Sequence, residues 1–286
     1  MKVLLAIPHV FEPKPGSLYS SQTEAKRESK RKALFEATIG NLNRHGKRHW
    51  IHASLGYLKP VVNRELKSSE GIDLTIQLYS PKKSSLASSL PSDPNLTIID
   101  PQTQEYIETP LIASRRLLEQ SENFDLIGYM EDDIAIHDRD FFSKILYLDA
   151  QTKFGEYAFL PHRCEHIEGR GDVILSGDPD GGRPDLFWDT GEELEYFWAV
   201  SKKRFYRATN PHSGCYFLTR RQARVVKSYW ERRDWKPDFQ LSGPLEQAGS
   251  GLLLPVLKVM KTVPEHYRFL MVEHLDKLWK RHEFEV

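Results

Sequence analysis

The sequence predicts an α/β fold, a mostly parallel sheet flanked by helices, in one domain spanning 1–286. Strand-like and helix-like segments alternate through the first half, the pattern of a parallel sheet wound with helices. A strand-like run at 124–130 stops abruptly at Glu131, Asp132 and Asp133. No Gly/Ser-rich or Pro-rich linker separates two halves. A chain of 286 residues can bury roughly 75% of its unfolded surface, so a substantial core needs no staples.

Residues 3–7 (Val-Leu-Leu-Ala-Ile) predict a first strand, closed by Pro8 and His9. Five apolar residues fall short of a secretory h-region of about 7–15 or a membrane span of about 20. The expectation is therefore a cytoplasmic chain without a transmembrane segment. A Pro- and Ser-containing loop follows over 8–21. Phe35, Ile39 and Leu42 recur at i, i+4 and i+7 and predict an amphipathic helix, with Gly46 as its stop.

Residues 72–79 alternate apolar and polar and predict a strand. The stretch 80–95, with three prolines and six serines, predicts an exposed loop, and 96–99 a short strand of the buried type. Thr109-Pro110 predicts a helix start with Thr as N-cap and Pro at the first position. Asp138 is expected to cap a helix carrying Phe141, Phe142 and Ile145. Residues 161–195 show little periodicity and contain Gly-Asp-Pro-Asp-Gly-Gly, an irregular stretch of the kind that is often functional. A strand at 215–218 runs into Thr219-Arg220-Arg221-Gln222, a capping-box pattern. From residue 258 a short strand mixes with aromatic and His-rich segments.

Charge and composition exclude several functions. Forty basic and forty acidic side chains cancel, so no global field drives nucleic-acid binding. Hydrophobic content of 40% and a mean hydropathy of −0.53 exclude disorder, collagen, coiled coil and integral membrane protein as descriptions of the whole. Cys164 and Cys215 are too few for a disulfide framework and read as reduced. The sequence has no Gly-x-Gly-x-x-Gly, no Walker loop and no Gly-x-Ser-x-Gly elbow.

The acidic triplet carries the chemistry. Strand ends in open α/β sheets are where ligands bind, and three adjacent carboxylates repel unless a cation or donors compensate them. One or two hard oxygen ligands, completed by water and phosphate, suit Mg²⁺ or Mn²⁺. The bland alternative is a solvated acidic turn with Asp133 capping a helix.

The run Tyr129-Met-Glu-Asp-Asp-Ile-Ala-Ile-His-Asp-Arg-Asp-Phe-Phe142 resembles the Glu-Asp-Asp form of the DxD motif in GT-A glycosyltransferases. It is most similar to the N-acetylglucosaminyltransferase I type, in which strand, triplet and Asp-Phe-Phe helix start come in the same order. The resemblance implies a GT-A-like (Rossmann-like) fold whose residues 1–133 bind nucleotide sugar and whose 134–286 form a smaller acceptor-side lobe. It implies that Asp133 reaches the metal bridging a nucleotide diphosphate, with Glu131 and Asp132 beside the donor.

Pro8 and His9 would then lie near base or ribose, although an ordinary strand edge explains them equally. Asn210-Pro-His212-Ser213-Gly-Cys-Tyr-Phe217 looks like the strand on the acceptor side, where His212 and Ser213 face the cleft or form a hydrogen-bonded turn. Gly243-Pro-Leu-Glu246-Gln-Ala-Gly249 resembles the later acidic motif of inverting members. Glu246 is then either the base that removes the acceptor proton or a carboxylate on a helix terminus. The following Gln247 departs from the commoner Glu-Asp pair. A C-terminal histidine completes the metal shell in several GT-A families, and His274 or His266 is the candidate. Trp188 lies in an aromatic loop suited to stacking on sugar rings.

Weaker signals yield to ordinary explanations. His162, Cys164 and His166 alternate on one face, but no fourth zinc ligand stands at a recognisable spacing. Asp178-Pro-Asp180-Gly-Gly lacks the later Glu of an EF-hand. The basic run Lys26, Arg27, Lys30, Arg31 and Lys32 reads as a solvated helix face, with attraction to anionic membrane or donor phosphates as second choice. The expected activity is a metal-dependent, inverting glycosyltransferase moving sugar from a nucleotide-diphosphate donor to a glycan or lipid-linked glycan. Bacterial-type surface polysaccharide synthesis at the inner face of the membrane is the expected setting. A sugar-phosphate nucleotidyltransferase and a non-catalytic carbohydrate-binding protein are the rivals.

Overall fold

A computed structural model describes residues 1–11, 28–46, 49–55, 60–67, 71–83, 85–90, 92–169, 171–174, 191–208, 212–235 and 243–276. Along the chain come β1 (Lys2–Pro8), α1 (Glu28–Asn43), the antiparallel pair β2 (His49–Leu55) and β3 (Pro60–Lys67), β4 (Asp73–Tyr79) and β5 (Leu96–Ile99). Then follow α2 (Thr109–Glu119), β6 (Leu126–Met130), β7 (Ile134–Ala135), α3 (Phe141–Gln151), β8 (Tyr157–Phe159), β9 (His162–Ile167) and β10 (Gly171–Ile174). The last third holds the hairpin β11 (Glu193–Trp198) and β12 (Ser201–Arg207), then β13 (Cys215–Thr219) and α4 (Arg220–Trp230). A short helix α5 (Pro244–Glu246) continues into a π-helical turn at Gln247–Gly251, before β14 (Lys258–Thr262) and β15 (Met271–His274).

The main sheet has the order β13-β6-β1-β4-β5. β6, β1, β4 and β5 are mutually parallel, and β13 is antiparallel to β6. Residues 3–7 are fully buried, as a strand covered on both faces must be. Alternation sends Val3, Leu5 and Ile7 to one face, against Phe35, Ile39 and Leu42 of α1 and Phe141, Phe142 and Ile145 of α3. Leu4 and Ala6 face the other layer, against Leu117 of α2 and Val226 and Trp230 of α4. Helices cover both faces of the sheet, which is an α/β architecture.

Two smaller four-stranded sheets, β10-β9-β15-β7 and β11-β12-β14-β8, flank this core. β7 follows the acidic triplet directly, so β15 and β9 are built onto the same corner. The stretch 161–174, read as irregular, forms β9 and β10 because His162–Ile167 and Gly171–Ile174 pair across a turn. The strand at 96–99 is an edge strand, not a buried one: Ile98 is 50% exposed. Thr109 is the first residue of α2 rather than its cap, and Asp140 rather than Asp138 precedes α3. The capping box at α4 is complete, with Thr219 and Gln222 each serving the other's backbone N–H. Both cysteines are buried and unpaired.

Candidate active site

The direction of the main sheet reverses at β1: β4 and β5 extend to one side and β6 to the other. Such a switch point opens a crevice at the carboxyl ends of the two strands. Pro8 and His9 leave β1 there, and Glu131, Asp132 and Asp133 leave β6 there. Pro8 is buried in register with Tyr79. Parallel pairing of β1 with β6 therefore brings residues 9 and 132 together across the chain.

His9 is 1% exposed and stacked on Phe35. Its Nε2 accepts the Leu86 N–H at 3.1 Å, so the ring proton sits on Nδ1, which donates to Asp132 Oδ2 at 2.5 Å. The other oxygen, Oδ1, receives Arg31 Nη2 at 2.5 Å, and the Asp132 carbonyl accepts from Thr38 Oγ1. Burial pushes this carboxyl up, but Arg31 and His9 outweigh it and hold Asp132 below the usual carboxylate range.

Asp133 is 7% exposed. Its Oδ2 takes Arg31 Nη1 at 3.0 Å and lies 3.5 Å from His274 Nε2. Its Oδ1 is buried and makes no hydrogen bond among the described residues. Burial opposes ionisation here too, yet His274 and Arg31 hold Asp133 well below the ordinary range. His274 in turn gives Nδ1 to Glu165 Oε1 at 2.7 Å, and Glu165 is fully buried on β9. Burial lowers this imidazole, but Asp133 and Glu165 dominate and raise it to about 9.

Glu131 completes the triplet on the opposite side. Its Oε2 lies 3.4 Å from Arg163 Nη1, and its Oε1 lies 3.3 Å from His212 Nε2. Gly214 donates its N–H to His212 Nε2 and its carbonyl accepts the Glu131 N–H. A side chain at Gly214 would meet Glu131 Oε2 at 3.1 Å, and its φ of +66° suits glycine. The His212 carbonyl receives the buried Lys261 ammonium at 2.9 Å. Ser213 Oγ donates to the Pro161 carbonyl at 2.6 Å, which ties it to the protein turn.

Glu246 is half-buried at the third position of the α5 turn, with Oε2 folded over Gly243: a Cβ there would lie 2.7 Å away. Its charge also reaches Tyr129, whose buried phenol has no hydrogen bond among the described residues. Burial, then Glu131, Tyr216 and Glu246, push that phenol well up. Of the two C-terminal histidines only His274 stands beside Asp133. His266 accepts the Arg204 N–H at the edge of β12. Trp188 lies outside the described residues.

Among the described residues no group of three His, Cys, Asp or Glu side chains is arranged to hold a metal ion. Asp133 and His274 supply two: a carboxylate with one oxygen that makes no hydrogen bond among the described residues, and an imidazole oriented by Glu165 that would give up its Nε2 proton on binding a metal. That donor set fits Mn²⁺ or Mg²⁺, which keep several waters and are completed by substrate phosphate.

The sequence carries no signal for the roles of Glu165, Arg163 and Asp276. Arg31, read with the basic run as part of a solvated helix face, is instead buried, because it stands four residues before Phe35 and so falls on the buried stripe of α1. Arg163 and Glu165 share the face of β9 opposite to the His162, Cys164 and His166 face that hinted at zinc.

No family model matches the chain, and no curated protein matches it. Some solved structures align with it at low similarity. GalNAc-T7 with UDP, GalNAc and Mn²⁺ aligns at a TM-score of 0.43 and 9% identity, over 96% of this chain and 43% of that one. The galactosyltransferase LgtC with donor and acceptor analogs aligns at 0.37 and 10%, over 97% and 88%. The 4-diphosphocytidyl-2C-methyl-D-erythritol synthase of Anaerococcus prevotii aligns at 0.39 and 11%, over 94% of both chains. The α/β class rests on the strand order described above. No helix among the described residues is long and apolar enough to cross a membrane.

Proposed function

We propose that this chain is a GT-A-like glycosyltransferase that moves a sugar from a nucleotide-diphosphate donor to a glycan or lipid-linked glycan, with inversion. One observation carries the reading. The acidic triplet stands at the switch point of the sheet, and Asp133, whose Oδ2 lies beside His274, has a buried Oδ1 without a hydrogen bond among the described residues. In this reading 1–286 is one domain, 1–133 binding the donor and 134–286 the acceptor, although β13 of the second half completes the main sheet.

Asp133 and His274 would hold Mn²⁺ or Mg²⁺, which when bound neutralises the leaving diphosphate as a Lewis acid. Pro8, His9, Glu131 and Asp132 flank the donor, His9 doing so by fixing Asp132. Glu246 takes the proton of the acceptor hydroxyl as its oxygen bonds the anomeric carbon and the bond to phosphate breaks. His212, Ser213 and Trp188 belong to the acceptor side. A cytoplasmic placement is an expectation from the sequence, and the inner membrane face with a role in surface polysaccharide synthesis rests on the resemblance alone.

A thermal-shift screen of nucleotide sugars with and without Mn²⁺ tests the reading. A ligand at 100 times its Kd stabilises by about 2.7 kcal/mol, roughly 5–11 °C for a domain of this size. At least one nucleotide sugar should give such a shift, and only with Mn²⁺ present. A flat screen over all common donors would overturn the proposal.

A further inference from the structure

The acidic corner already contains a cation of its own. Arg31 is 6% exposed and reaches three carboxylates: Asp132 at 2.5 Å, Asp133 at 3.0 Å and Asp276 at 3.3 Å. Lys30, on the neighbouring position of α1, pairs with Asp276 at 2.5 Å. Three carboxylates thus face Arg31 and Lys30, with His274 also beside Asp133, and Asp133 Oδ1 is the one oxygen of the triplet's aspartates without a hydrogen bond among the described residues.

We propose that Arg31 is the resident counter-ion of this site and makes binding of a divalent cation conditional on a nucleoside diphosphate. The inference rests on the glycosyltransferase reading and adds how the site is loaded. A divalent ion arriving alone shares the Asp133 carboxylate with a guanidinium, and two cations on one carboxylate repel in a buried setting. A diphosphate arriving alone meets a guanidinium held by three carboxylates. Arriving together, the ion takes the carboxylate and the phosphates take both the ion and the guanidinium fork, for which Arg geometry is suited. Each ligand then raises the affinity of the other by one common factor, because the coupling is reciprocal.

Isothermal titration of the full chain with MnCl₂, with UDP, GDP and CDP in turn, and with each pair measures that factor. In the wild type, one nucleotide should raise Mn²⁺ affinity by at least tenfold. Arg31→Gln should bind Mn²⁺ alone about tenfold tighter and show a coupling factor reduced by at least threefold. Arg31→Lys keeps the charge without the fork and should fall between, which preserves the test if Arg31→Gln does not fold by circular dichroism. Equal Mn²⁺ affinity with and without nucleotide in the wild type overturns the inference. So does an unchanged coupling factor in a folded Arg31 variant, the result of a purely structural arginine. If Mn²⁺ and nucleotides bind but do not couple, only this inference falls. If no nucleotide binds the wild type under any condition, the glycosyltransferase reading falls with it.

Discussion

At the scale of single residues, the aspartates behave differently from an exposed acidic turn. A solvated acidic turn would leave Asp133 in water, yet it is buried between Arg31 and His274. Removing one partner of a buried ion pair costs about 3–5 kcal/mol, because the remaining charges lose their compensation. Asp133→Asn should therefore lose Mn²⁺-dependent nucleotide binding and also melt well below the wild type. Calorimetry and a thermal melt on the same sample check both effects, and an unaltered nucleotide affinity would remove Asp133 from the site. Glu246 separates two roles. As a base, Glu246→Gln should lower kcat by roughly 10²–10⁴-fold with donor binding barely changed. As a carboxylate serving the α5 terminus, which its fold over Gly243 resembles, the change should cost about 0.3–1 kcal/mol with near-normal turnover. Turnover and melting measured side by side decide between them.

Among the elements, β6 matters most, since its last residue hands over to the triplet. Gly128 sits at its centre, paired with Phe217 of β13 on one side and Leu5 of β1 on the other. A Cβ at Gly128 would lie 2.6 Å from the Phe217 ring and 2.8 Å from Leu5. No side chain fits without moving a neighbour. Gly128→Ala should cost about 1–3 kcal/mol by overpacking. The strain runs along the strand that positions Asp132 and Asp133, so nucleotide affinity should drop as well. Denaturant melts and calorimetry read the two losses, and a variant as stable as wild type would mean that β6 and β13 repack freely.

For the whole molecule, stability on the acid side should reveal a fully buried histidine. His162 gives Nε2 to the Thr262 carbonyl at 2.7 Å. Burial, with Lys261 nearby, pushes it down to about 3 from 6.5, against the Thr262 contact that raises it. The unfolded chain takes a proton below about 6.5 that the folded one refuses. The His162 contribution is therefore full above that pH and lost as pH falls toward 3, on the order of 2 kcal/mol by about pH 5, while the raised His274 acts in the opposite direction and offsets part of it. The lowered Asp132 and Asp133 act in the same direction as His162 only below their ordinary range near 3.8. Chemical denaturation from pH 7 to 5 should show the slope in wild type and a flatter one in His162→Asn.

The same scale shows what the sequence made legible. Continuous apolar β1, amphipathic α1 and the abrupt acidic end of β6 are local patterns, and each stands where periodicity puts it. Arg163, Glu165 and Asp276 are distant in sequence from what they touch, and a charged residue carries no periodic mark of its partner. Only the register of β9 and β15 at the triplet's corner brings them there.

The central place of β1 has a consequence during synthesis. Its partners β4 and β6 begin at Asp73 and Leu126, so Val3 waits for Leu126 before its second edge is paired. At about 5–20 residues per second, that interval lasts roughly 6–25 s on the ribosome. Throughout it, a strand with five consecutive apolar residues has an open edge of the kind that templates aggregation. Expression at lower density, or with a holdase chaperone present, should therefore raise the soluble yield.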